Sequence, residues 1–324
     1  MQEDEAAEAS GGNCGNLVAR AGDGGEIVLL AHMYTARSTA GMRPILQTDR
    51  ITSDGTTVLG VDDRAGVAAL LYAAERVMAL RGSTARFSLA FTICEETTLA
   101  GSRHLAIDPR WRHGFVFDSS QRPGRFIAGS YGCKRSLAVV HGRAAHSGIA
   151  PERGIDAVRV LAAAISALKL GRVDAETTAN IGLIRGGSAL NVVPDRAEAE
   201  SEIRATTAAR VEQLDAEFRS AFERAASLAG ATVDYKSHWE FEPYRHDPDS
   251  AIYRRTSAML QACGLTPEPY VTPGGSDANA LNARGLAAMN LGIGSQNPHG
   301  NDEFILLEDL AAAASMAERL LLEP

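Results

Sequence analysis

A basic excess is the first thing this 324-residue chain lacks: 32 Lys and Arg stand against 40 Asp and Glu, a formal charge of −8. An acidic chain with no basic block is a poor partner for a phosphate backbone, which argues against nucleic-acid binding. No apolar run approaches the ~20 residues that a membrane helix needs. Residues 1–10, MQEDEAAEAS, are acidic and carry no apolar stretch, so they do not read as a secretory signal. Four cysteines (Cys14, Cys94, Cys133, Cys263) form no CxxC pair and read as reduced thiols of a cytoplasmic protein. No GxSxG occurs, since GGSDA at 274–278 lacks the last glycine, and no cysteine has a nucleophile's context. GGSDAN is not followed by Lys-Ser/Thr, and Gly182, Gly186 and Gly187 lack dinucleotide-fingerprint spacing. Repeats, low-complexity linkers and heptads are also missing.

What is present suits a globular α/β protein. Hydrophobic residues make up 45% of the chain, enough for a sizeable core, and the length suggests about two domains. Residues 1–12 are small and acidic and are expected to fray. Strands are predicted at 26–31 (EIVLLA), 57–61 (TVLGV), 87–93 (FSLAFTI) and 114–117 (GFVF). A helix is predicted over 65–80, with Val67, Leu70, Leu71, Ala74, Val77 and Met78 inward and Asp63 as N-cap. The middle third reads as a smaller βαββα block: strands at 136–141, 179–185 and 197–204, helices at 155–170 and 207–230. The last third returns to the first texture, with helices at 248–263 and 307–322 and a strand at 287–291. Alternating strands and helices predict a mostly parallel sheet covered on both faces.

The metal-binding residue types fall at one kind of place. His32, Asp62, Glu95 with Glu96, Asp118 and His299 each lie just past the C-terminal end of a predicted strand. That edge of an open α/β sheet is where ligands bind. Singly, each has an ordinary explanation: a loop histidine, a helix cap, a wet surface pair, a turn. Together they suit two ions about 3.5–4 Å apart that share a carboxylate and a water, with a further carboxylate to take the proton. Mixed N and O donors suit zinc, and also cobalt or manganese.

The motifs AHM (31–33), SDGTTVLGVDDRAG (53–66), ICEETTLAGSRHL (93–105), GFVFDSS (114–120), GRAAHSG (142–148), GGSALNVVPD (186–195), PGGSDANALN (273–282) and NPHGNDE (297–303) occur in this order. In that order the chain resembles the M20 metallopeptidases, most nearly their peptidase T-like branch, from about Gly15 onward. The resemblance implies a catalytic domain (1–125 plus 240–324) with a mostly parallel mixed sheet, interrupted by a βαββαβ-type lid or dimerisation domain (126–239). It implies one zinc on His32 and Asp118, another on Glu96 and His299, and Asp62 bridging. Glu95 would be the general base and then the acid. His146 would stabilise the oxyanion, often across a dimer. Asn191 and Arg204 would hold the substrate's carboxylate and carbonyl, and backbone at Gly275 would approach the substrate. The activity implied is hydrolysis of an amide bond in a short peptide by a metal-bridging hydroxide, in a homodimer. N-acyl amino acid deacylation on the same site is the alternative.

Two departures from the family pattern stand out. The family writes His-x-Asp at the first ligand, whereas this chain has His32-Met33-Tyr34. The missing aspartate orients the imidazole, and losing such a partner costs about 10- to 100-fold in affinity or activity. A tyrosine hydroxyl is a weaker substitute. Relatives also place a helix and more strand material before the GNLVA segment, which begins here at residue 15; absence of that layer would expose apolar surface. Both departures favour the rival of a non-catalytic family member.

Overall fold

The computed structural model describes residues 2–322. In chain order the elements are β1 (Gln2–Glu3), α1 (Ala6–Ser10), β2 (Leu17–Ala21), β3 (Ile27–His32), β4 (Pro44–Leu46), β5 (Arg50–Ser53), α2 (Val61–Arg81), β6 (Phe87–Thr92), α3 (Glu95–Thr98), α4 (Ala100–His104), β7 (His113–Ser119) and β8 (Arg125–Ser130). There follow β9 (Gly132–His141), α5 (Ala157–Ser166), β10 (Gly171–Asp174), β11 (Thr177–Gly186), β12 (Arg196–Ala205), α6 (Ala208–Ala229), β13 (Thr232–Phe241), β14 (Tyr244–Arg245), α7 (Ala251–Ala262), β15 (Glu268–Thr272), α8 (Asp277–Ala283), β16 (Ala287–Gly292), β17 (Phe304–Leu306) and α9 (Leu307–Leu322). They form two units, one up to Ser130 together with Arg245 onward, the other Tyr131–Tyr244. The borders fall a few residues later than expected, because β8 pairs in the first unit's sheet and β13 runs on to Phe241.

In the first unit the sheet order is β1-β2-β6-β3-β7-β16-β8, with β15 alongside β8. The central strands β6, β3, β7 and β16 are mutually parallel. Every residue of β3 and β6 is buried, as a sheet covered on both faces requires. Ile27, Leu29, Ala31, Phe115, Phe117, Met289 and Leu291 share one core with side chains of α2, α7 and α9. Alternation along the strands sends His32, Asp118 and Asn290 to the opposite face.

Three local expectations are corrected here. The N-terminal segment does not fray: β1 pairs antiparallel with β2, and Asp4 accepts hydrogen bonds from the backbone N–H of Ala6 and Asn16. No strand forms at 57–61, because the N–H groups of Gly60 and Asp62 donate to the Glu303 carboxylate instead of a ladder. Helix α2 begins with a break at Asp62 and Asp63, and Asp63 caps it by accepting from Gly66 N at 3.0 Å. Of the side chains expected inside, Leu70 and Val77 are buried, but Leu71 and Met78 are 53% and 45% exposed. Leu71 and Met78, seven residues apart, leave uncovered apolar surface on one side of the helix, and Leu80 is exposed on another.

The second unit is a sheet in the order β10-β11-β12-β9-β13, antiparallel throughout. Helices α5 and α6 bury Val160, Leu161, Val211, Leu214, Phe218 and Phe222 against it. Thr207 caps α6, and Gly230 ends it at φ +69°. Helix α5 is shorter than the expected 155–170, starting only after its cap Asp156. The short strand β10 makes the order βαβββαβ, one strand more than expected. Among the described residues no helix is long and apolar enough to cross a membrane.

Candidate metal centre

Six side chains of the first unit converge at the C-terminal edge of the parallel strands. His32 ends β3, and Asp118 is the penultimate residue of β7. Glu95 and Glu96 open α3, just past β6. Asp62 lies in the break that starts α2, and His299 lies in the loop before β17. His32 Nε2 is 2.9 Å from Asp62 Oδ1, 3.5 Å from Asp118 Oδ1 and 4.0 Å from Glu95 Oε2. His299 Nε2 is 3.4 Å from Asp62 Oδ2 and 3.0 Å from Glu96 Oε1. Two triads result, His32–Asp62–Asp118 and Asp62–Glu96–His299, each with ligand atoms within 4.8 Å of one another.

This donor set fits a pair of divalent cations. Asp62 belongs to both triads and turns one oxygen to each histidine. Glu96 Oε1 is buried and, although close to His299, makes no hydrogen bond. Two ligand atoms that crowd without bonding are aimed at a third point, as coordination requires.

Electrostatics point the same way. Burial and the neighbouring Asp118 hold the Glu95 carboxyl well above the ordinary carboxylate range. Burial and Asp62 push Glu96 up to about 7. Burial also raises Asp118. Burial opposes charge on His32, but Asp118 and Asp62 outweigh it and raise the imidazole pKa well above its usual value. Asp62 lifts His299 to about 9. Burial works against ionised Asp62 as well, yet His299 and His32 hold it far below the ordinary range. Without cations, protons held by the two histidines and by the raised carboxylates offset the negative charge gathered here, while Asp62 stays ionised.

The supporting contacts are largely ones that residue types do not reveal. His32 Nδ1 lies 2.6 Å from the backbone carbonyl of Tyr34. A carbonyl can only accept, so Nδ1 donates and Nε2 is left facing the carboxylates. The partner expected from a residue-34 side chain therefore comes from its backbone, and the Tyr34 ring is exposed. Glu303, buried, accepts from Gly60 N at 2.6 Å and Asp62 N at 3.1 Å, tying the His299 loop to the start of α2. Asn16, also buried, accepts from Ile93 N and donates to the carbonyl of Gly101, clasping both ends of the segment that carries Glu95 and Glu96. Glu303 and Asn16 stand inside recognisable motifs, NPHGNDE and GNLVAR, and that was their only signal.

Gly275 lines the same cavity as Asp62, Glu95, Glu96, Asp118 and His299. The remaining expected residues belong to the second unit. His146 and Asn191 lie on neighbouring segments: Ser147 N donates to the Asn191 carbonyl, and His146 bridges Val192. Both are exposed. Arg204, on β12, holds Glu202 and lies over the Phe241 ring. It pairs with Cys133 at one end of the β12–β9 ladder, while Arg196 pairs with His141 at the other end, from which the chain continues to His146. At ~3.3 Å per residue, Arg196 to Arg204 alone covers roughly 26 Å. One second unit thus keeps Arg204 far from its own His146.

Residues 128–228 match a family profile described as a peptidase dimerisation domain, M20_dimer. The chain is 31% identical to aminopeptidase PepT from Bacillus cereus, over 99% of this chain and 88% of that one, with a TM-score of 0.88. It is 29% identical to a tripeptidase from Staphylococcus aureus, over 99% and 87% of the two chains, with a TM-score of 0.90. A dinuclear metal binding peptidase of the M20 family from Bacillus subtilis shares the fold at 19% identity, over 95% and 85%, with a TM-score of 0.70.

Proposed function

The chain belongs to the M20 metallopeptidases, in their peptidase T-like branch, and from that premise we propose that it uses two divalent cations to cut an amide bond of a short peptide. The shared carboxylate of Asp62, one oxygen toward each histidine, is the observation that carries this reading. His32 and Asp118 would hold one cation and Glu96 and His299 the other, with Asp62 between them. Zinc fits the mixed nitrogen and oxygen donors, as do cobalt and manganese. Bound there, the cations would polarise the scissile carbonyl and lower the pKa of a water.

Glu95 stands outside both triads, within 4.0 Å of His32 Nε2. Its raised pKa suits a group that takes the proton of an attacking water and returns it to the leaving amine. His146 stabilises the developing oxyanion, and Asn191 and Arg204 hold the substrate's carbonyl and carboxylate. A tripeptide is far shorter than the separation of Arg204 from His146 in one chain. If both touch one substrate, they come from two copies, which supports a homodimer built on the second unit. The backbone partner of His32 removes the main support for a non-catalytic protein. Four free thiols among the described residues suit a reducing cytoplasm.

The test is metal content with turnover of a tripeptide. Two cations per chain are expected, with activity lost in a chelator and restored by zinc, cobalt or manganese. Glu95→Gln is expected to keep both cations and to lose at least ~100-fold in kcat. Unchanged turnover would remove Glu95 from its role, and full activity in metal-free protein would remove the whole reading.

A further inference from the structure

His299 is the least sheltered ligand of the centre, its side chain 49% exposed against 15% or less for His32, Asp62, Glu96 and Asp118. Its backbone is also unusual, at φ +67°, and Asn297, two residues before it, stands at φ +52°. Residues with a side chain enter this left-handed region rarely, so neighbours must hold the loop in it. Glu303 and Asn301 anchor the part that follows His299: Glu303 accepts from Gly60 N and Asp62 N, and Asn301 donates to the Gly55 carbonyl at 3.0 Å. The bond to residue 299 itself comes from Arg37, in the segment between β3 and β4. Arg37 Nη1 donates to the His299 carbonyl and to Asn301 Oδ1, each at 3.1 Å.

The charge of Arg37 helps to separate its possible roles. Both acceptors are neutral, so Arg37 brings a positive charge beside a place for cations and cancels nothing there. That charge opposes metal binding, though weakly, because the group is exposed and screened. What the contact offers instead is position: one planar NH2 group spans both acceptors and sets their separation. The same segment follows His32, whose Nδ1 is held by the Tyr34 carbonyl. Residues 32–37 thus turn a ligand of one cation and grip the backbone of a ligand of the other. We propose that Arg37 is a positioning residue for the cation on Glu96 and His299, holding the His299 loop so that the imidazole stays aimed at it. This inference rests on the two-cation reading above.

The experiment titrates metal-free wild type, Arg37→Leu and His299→Ala with zinc, in competition with a chelating dye. The wild type should take up two cations, and His299→Ala identifies the binding event that depends on His299. Arg37→Leu should weaken that event by ~10-fold or more and leave the other within about 3-fold. Loss of the charge alone would act the other way and tighten both. An affinity unchanged or raised therefore overturns the assignment. Equal weakening of both events also overturns it, since that is what a general structural role would give. Arg37 is exposed, so the variant should fold as the wild type does. Turnover of Ala-Ala-Ala gives a second readout. At limiting zinc Arg37→Leu should be slower than the wild type, and excess zinc should restore most of the loss. A defect that excess zinc leaves in place overturns the role, and if it lies in KM it makes Arg37 a contact of the substrate. Fewer than two cations on the wild type refutes the two-cation reading, and this inference with it. A wild type that binds two cations but does not cut the peptide refutes the peptidase reading and leaves the titration to decide this one.

Discussion

Backbone atoms do much of the orienting of individual side chains in this centre. His32 is turned by the carbonyl of residue 34, and its own N–H donates to buried Asp63. Asp62 is placed through its N–H, by Glu303. Tyr34→Phe should therefore be silent: metal content unchanged and kcat/KM within about 2-fold, because the hydroxyl is not part of the contact. A loss of tenfold or more in steady-state kinetics would give the hydroxyl the role of the missing aspartate. The six converging side chains were legible in the sequence because they are of the few types that can hold a cation or move a proton and stood at strand ends. Their supports were not. A carbonyl acceptor leaves no mark on residue identity, and Glu303 meets Gly60 across 243 positions of chain. Nor could the sequence separate Arg204 from His146, since that distance comes from an antiparallel register.

Elements place those side chains through close approach of backbones. Helix α2 starts so near β7 that a Cβ on Gly66 would lie 2.2 Å from the carbonyl oxygen of Phe117 and 2.4 Å from Asp63 Oδ1. Gly66→Ala must push the helix start off the strand that carries Asp118, and it also disturbs the cap made by Asp63. A loss of about 1–3 kcal/mol in chemical denaturation is expected, with weakened metal binding, since overpacking at a rigid contact is not absorbed locally. Wild-type stability in that variant would mean that the helix start can move freely. The same scale explains which elements the sequence announces. Helix α9 runs over the expected residues 307–322, and the buried parallel strands show as continuous apolar runs. Short edge strands such as β4, β10 and β15 carry mostly exposed residues and no such run. Helix α2 misled because its apolar residues outnumber the positions that its core face can bury, leaving Leu71, Met78 and Leu80 outside.

Across the whole molecule, the metal-free centre sets how stability depends on pH. Glu96 has a pKa of about 7 against a usual 4.5, and His299 about 9 against 6.5. Each binds more protons folded than unfolded within its window. Their contribution is therefore complete below the usual values and is lost as pH rises, through about 4.5 to 7 for Glu96 and 6.5 to 9 for His299. Glu95 and Asp118, raised chiefly by burial, act with the same sign. Asp62, held low by the two histidines after burial is overcome, acts oppositely, but only below its usual 3.8. His299 is half exposed, so solvent screening trims its share. In a chelator, Tm should fall by a few °C between pH 5.5 and 8.5. With saturating zinc the trend should flatten or reverse, because the ligands must give up protons to bind the metal and cations bind more tightly as pH rises. A thermal-melt series in both conditions checks this. If Tm of the metal-free protein instead climbed across that range, the carboxylates would be ionised and solvated without cations, and the protonated cluster described here would not exist.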